Sequence, residues 1–135
     1  MAMTCEEARH WIEVGTLGDR YEVARNLDTL PRECVCEIAW RLSEDEHPLV
    51  REKTAYRVRY LPRECMCDLA KKLANDEDDE VREKIAWNLH VLPEECACDL
   101  AMKLANDTKE VREKLSLIAD LLPIECREEV KRMLR

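Results

Sequence analysis

The chain has 135 residues, enough for one domain with a continuous core, and its 46% apolar content excludes a disordered composition despite 39% charged residues. Two glycines, no phenylalanine and an abundance of Leu, Ala, Glu, Arg and Lys favour an all-α fold. A net charge of -8 with mixed signs argues against nucleic acid as a partner, and no run is long enough for a membrane span, so no membrane partner is expected.

At the start of the chain, Met1-Ala2-Met3-Thr4-Cys5 has no secretory character, which leads to the expectation of a cytoplasmic protein. The first unit, 1–30, is divergent. Its Cys5-Glu6-Glu7-Ala8-Arg9-His10-Trp11 aligns with Cys67-Asp68-Leu69-Ala70-Lys71-Lys72-Leu73, which predicts Trp11 as core. From Pro31 onward the chain repeats: Leu30-Pro31-Arg32-Glu33-Cys34-Val35-Cys36, Leu61-Pro62-Arg63-Glu64-Cys65-Met66-Cys67, Leu92-Pro93-Glu94-Glu95-Cys96-Ala97-Cys98, then Leu122-Pro123-Ile124-Glu125-Cys126. Eleven residues before each proline stands an arginine (Arg20, Arg51, Arg82, Arg112), three of them inside Val-Arg-Glu-Lys words at 50–53, 81–84 and 111–114. The prolines divide a single domain, 1–135, into units 31–61, 62–92 and 93–122 and a cap, 123–135. A period near 31 residues without strand signals predicts a helical solenoid, in which each helix pair must stack on its neighbours to bury its apolar side.

Within a unit, helix A starts at the proline, whose missing N–H suits a first-turn position. An acidic residue follows in that turn (Glu33, Glu64, Glu95, Glu125), favourable at the positive end of the helix dipole. In the second of the proline units, Cys65, Met66, Leu69, Ala70 and Leu73 form the apolar stripe, and Asn75-Asp76-Glu77-Asp78-Asp79 makes a polar turn. Helix B then runs from about Val81 to Val91, with Val81, Ile85, Ala86 and Leu89 inward. Tyr60, just before the next turn, is expected to pack under the following A helix. The last helix spans roughly 124–134. An aspartate recurs in the intra-unit turn (Asp45, Asp76, Asp107). It either caps helix B or joins the arginine column in a ladder of charge-assisted hydrogen bonds, and the two are compatible.

The succession Leu-Pro-x-Glu, Leu-Ala, Asn-Asp, Val-Arg-Glu-Lys, Ala resembles the HEAT-like repeat family and its relative, the leucine-rich repeat variant, over about residues 19–135. That resemblance implies a right-handed α–α superhelix of about four helix pairs plus a C-terminal capping helix, whose B helices line a concave, partner-binding face. The paired cysteines inside helix A are not part of either family's pattern.

The eight cysteines form two columns staggered by one repeat: Cys34, Cys65, Cys96 and Cys126, and Cys5, Cys36, Cys67 and Cys98. Two residues apart on a helix, the members of a Cys-x-Cys pair point about 200° apart, so the second of one unit faces the first of the next. With axes roughly 10 Å apart, facing Cα atoms come within about 5.4 Å, inside the disulfide window. Using each cysteine once gives Cys5–Cys34, Cys36–Cys65, Cys67–Cys96 and Cys98–Cys126. Reduced cysteines serving as small core residues, metal binding and a catalytic dithiol remain alternatives at this point, although no recurring His completes a zinc set. Disulfides without a secretory signal point to the cytoplasm of a hyperthermophile, in keeping with an absence of Gln and only four Asn.

On the outward side of the B helices, Tyr56, Trp87 and Leu117 share one column six residues before the proline and predict an apolar stripe along the concave face. Arg25, Arg59 and His90 stand beside it, and aromatic residues with Arg nearby are what binding hot spots are made of. The competing expectation makes Tyr56 and Trp87 partly buried core between neighbouring B helices. No Gly-rich phosphate loop, nucleophile elbow or His-Glu-x-x-His motif is present. The sequence thus predicts a non-enzymatic scaffold that binds another protein or peptide and needs no cofactor, with a thiol-redox or metal-binding protein as the alternative.

Overall fold

In the computed structural model, which describes residues 2–135, the described residues form nine α-helices and no strand. Met1, the first residue of the segment read for a leader, lies outside them. The helices are α1 (Cys5–Val14), α2 (Leu17–Arg25), α3 (Arg32–Ser43), α4 (Pro48–Arg57), α5 (Arg63–Leu73), α6 (Asp79–Asn88), α7 (Glu94–Leu104), α8 (Lys109–Ile118) and α9 (Ile124–Leu134). The ends of α4, α6 and α8 tighten into single 3-10 turns at Val58–Tyr60, Leu89–Val91 and Ala119–Leu121, which complete the predicted B helices.

Local chemistry sets the helix starts. Each repeat proline sits one residue earlier than expected, at the N-cap rather than in the first turn, and its carbonyl accepts the N–H groups three and four residues on, as Pro31 does from Cys34 and Val35. The first two helices open on capping boxes, Thr4 with Glu7 and Thr16 with Asp19. Between them, Gly15 lets the chain turn closely, since a Cβ there would lie 2.4 Å from the Trp11 carbonyl oxygen.

Odd-numbered helices pack on odd neighbours and α2, α4, α6 and α8 on one another, giving two rows joined pair by pair. The core lies between the rows. Ile38, Leu42, Leu69, Leu73 and Leu104 reach it from the odd row, and Val23, Leu27, Val50, Ile85, Leu89 and Leu115 from the even one. Trp11 was expected in this core and is instead exposed, its ring edge-on to that of His10. Tyr60 is likewise exposed rather than tucked under the next odd helix, with the Arg57 guanidinium over its ring.

Four disulfides link consecutive odd helices. Cys5–Cys34 joins α1 to α3, Cys36–Cys65 α3 to α5, Cys67–Cys96 α5 to α7 and Cys98–Cys126 α7 to α9, with Cα separations of 6.0, 5.9, 5.9 and 5.7 Å. They are the pairs expected from the stagger of the columns. Cys34, Cys65, Cys96 and Cys126 are buried, whereas the partner sulfurs come from half-exposed positions at the edge of the stripe. Each bond closes a loop of 28 or 29 residues, which on a chain-entropy account stabilises by roughly 3–4 kcal/mol.

The bonds correct the expected localisation. All eight cysteines are bridged and none is free. Such bonds form and persist in oxidising surroundings, which points to an extracellular or secreted setting instead of the reducing cytoplasm, so the expectation of a hyperthermophile's cytoplasm is set aside. No helix among the described residues is long and apolar enough to cross a membrane.

A second set of cross-links runs along the turns. Arg20 meets Asp45, Arg51 meets Asp76 and Arg82 meets Asp107 through two-pronged hydrogen bonds, with Nε–Oδ2 distances of 2.7, 2.9 and 2.9 Å. The same guanidinium groups donate to the carbonyls of Gly15, Asp45 and Asp76, so each inner arginine is held by two successive turns. The capping role expected for these aspartates is not theirs. His47, Asp78 and Thr108 cap α4, α6 and α8, because the aspartates point along the row at the previous unit's arginine. Arg112 has no such aspartate and donates to the Met133 carbonyl at 3.3 Å.

Candidate functional site

The even row presents a shallow groove along the outer side of its helices. Tyr21 on α2, Tyr56 on α4 and Trp87 on α6 are half-buried, and Leu117 on α8 is 67% exposed. Two adjoining hollows lie among them. One, of about 230 Å³, is lined by Tyr21, Leu49, Glu52, Lys53, Tyr56 and Lys84. The next, of about 270 Å³, is lined by Tyr56, Glu83, Lys84, Trp87, Lys114 and Leu117. They share Tyr56 and Lys84 as a common wall. Each is smaller than the roughly 300–1,000 Å³ of a small-molecule pocket and suits a side chain instead.

The charges of the groove are arranged across the helices. Lys84 reaches back to Glu52 at 3.0 Å. The Lys53 ammonium lies over the Tyr21 and Tyr56 rings, 5.5 and 5.4 Å from their centres. Among the described residues, neither Lys53 nor Lys114 has a carboxylate at ion-pair distance. Burial pushes the Glu83 carboxyl up, with Asp79 and Glu80 adding to the effect, against the opposing pull of Lys84 and Lys114. Lining charges therefore sum to three lysines against two glutamates, a positive strip on a chain of net charge -8.

Behind the groove, a buried amide fixes α4 against α6. The Asn88 side chain is fully buried, and its Nδ2 donates to the carbonyls of Ala55 and Tyr56 at 2.9 and 3.1 Å. Its Oδ1 accepts from Arg59 Nε at 2.7 Å. The amide thereby ties α6 to the end of α4, where that helix tightens into its 3-10 turn.

Of the residues singled out from the sequence, Tyr56, Trp87 and Leu117 are brought together in one hollow. Tyr56 and Trp87 are both half-buried, and Trp87 also packs against the core, so the two expectations coexist at that residue. Arg25, Arg59 and His90 line neither hollow. Arg25 pairs with Glu22 of its own helix, and Arg59 is occupied by Asn88 while lying 5.6 Å from the Tyr56 ring centre. His90 turns its Nδ1 inward, where that atom has no hydrogen-bond partner. Sequence reasoning passed over Tyr21, Lys53, Lys84 and Lys114. The lysines recur nine residues before Pro62, Pro93 and Pro123, a register that was visible but reads as solvated surface.

The sulfurs are bonded to one another, and no group of three or more His, Cys, Asp or Glu among the described residues is placed to hold a metal ion. Neither a family model, a curated protein nor a solved structure matches the chain.

Proposed function

We propose that this chain is a non-catalytic scaffold of the HEAT-like kind, with its helix pairs wound into a superhelix and the even row on the concave side binding a protein or peptide. The groove of Tyr56, Trp87 and Leu117 carries this reading, because it offers apolar and aromatic surface on a floor cross-linked at both edges of the stack. A floor already held in place loses little conformational freedom on binding, which leaves more of the contact energy for affinity. Support for a role without chemistry comes from the groove's titratable groups: Glu52 is paired with Lys84, and Glu83 faces Lys84 and Lys114. A lining that carries both signs, three lysines and two glutamates, also suits a peptide better than the uniform charge of a nucleic-acid backbone.

Selection from a random peptide display library tests the reading. Enriched peptides should lose binding to Trp87→Ala and Tyr56→Ala and keep it with Trp40→Ala, an exposed site on the odd row, with helicity unchanged in all three. No enrichment, or binding that depends on Trp40 alone, would contradict it.

A further inference from the structure

We infer that the groove takes an acidic segment in polyproline-II conformation, with bulky apolar side chains three residues apart. This rests on the protein-binding reading and adds the shape and charge of the occupant. The two hollows are equivalent places in successive repeats, so they are separated by the spacing of neighbouring helices, about 8–10 Å. A polyproline-II strand returns the same face every three residues, about 9 Å along its axis. A β-strand returns it every two, about 6.5–7 Å, which misses the second hollow.

An α-helix reaches a comparable distance at seven residues, about 10.5 Å, yet it also presents side chains three and four residues on, midway between those anchors. Midway between the hollows stands their common wall, Tyr56 and the ion-paired Lys84. An apolar anchor pressed there would desolvate that pair, whereas a polyproline-II turn passes over the wall without a side chain. Flat aromatic faces are the surfaces on which such strands dock; here these are Tyr21, Tyr56 and Trp87, with Lys53 stacked on the first two. Charge selects the sign. Lys53 and Lys114 flank the hollows without ion-pair partners among the described residues, and the lining sum is positive, so carboxylates beside the apolar residues complement both ends of the groove.

The test titrates the intact, oxidised protein with four synthetic peptides by calorimetry while following the Trp87 indole N–H by NMR. The first is a Leu-Pro-Asp repeat; the second carries the same residues with leucine at alternate positions. The third replaces Asp by Lys, and the fourth is an acidic helical heptad peptide. The first should bind about tenfold more tightly than each of the others, and Trp87→Ala or Tyr56→Ala should weaken it about tenfold. Lys53→Glu with Lys114→Glu should reverse the preference between the Asp and Lys repeats, and circular dichroism checks that every variant stays folded. Tighter binding of the helical peptide, lost in the same variants, overturns the inference and leaves the binding face standing. If no peptide moves the Trp87 signal the inference also fails, and the display selection then decides separately whether the face binds at all.

Discussion

His90 is the middle residue of the 3-10 turn after α6, partly buried, with its Nδ1 enclosed and without a partner. Burial foremost, then the nearby Arg59 charge, holds its imidazole below the ordinary histidine range. The folded protein thus resists a proton that the unfolded chain accepts near pH 6.5. Its contribution to stability is complete above that pH and is lost as the pH falls toward the lowered folded value. Chemical denaturation from pH 7.5 down to 5 should show the wild type losing more stability than His90→Gln; parallel profiles would contradict this. Asp107 titrates lower. Burial opposes its charge, but hydrogen bonds from Arg82 and the Thr108 N–H outweigh that penalty and hold the carboxyl down, so its share survives until the pH falls below the usual carboxylate range.

Between neighbouring helices, the aspartates at 76 and 78 separate two kinds of support that the sequence leaves merged. Asp78 caps α6 by accepting from the Glu80 N–H, and Asp78→Ala should cost about 1 kcal/mol. Asp76 receives Arg51 across the row, with side chains only 8% and 10% exposed, so Asp76→Ala strands a buried guanidinium and should cost about 3 kcal/mol. Equal losses in urea melts would mean that the ladder contributes no more than a cap. The sequence made the odd helices legible because proline, glutamate and cysteine recur there in fixed register. It left α1 and α2 without bounds, although Thr4 with Glu7 and Thr16 with Asp19 are local start signals that needed no repeat to be seen. The partner of Arg20 was harder to assign, since Asp45 lies 25 positions away and only the stacked helices bring the two together. The groove was half legible for a related reason. Tyr56, Trp87 and Leu117 stand out as an apolar column, whereas Lys53 and Lys84 become lining residues only when their stems lie across neighbouring helices.

At the scale of the whole molecule, two independent seams close the stack: disulfides along the odd row and Arg–Asp pairs along the turns, with the even row's groove on the surface between neighbouring B helices. Because the disulfide loops abut instead of nesting, their effects on the unfolded chain add approximately. The central claim is therefore the pairing itself. The direct measurement is proteolysis of the unreduced protein followed by mass spectrometry of the linked peptides, alongside the intact mass before and after reduction. The account predicts a gain of eight hydrogens on reduction and linked peptides joining Cys5 to Cys34, Cys36 to Cys65, Cys67 to Cys96 and Cys98 to Cys126. Free thiols in the native protein, or links that skip a repeat, would contradict it.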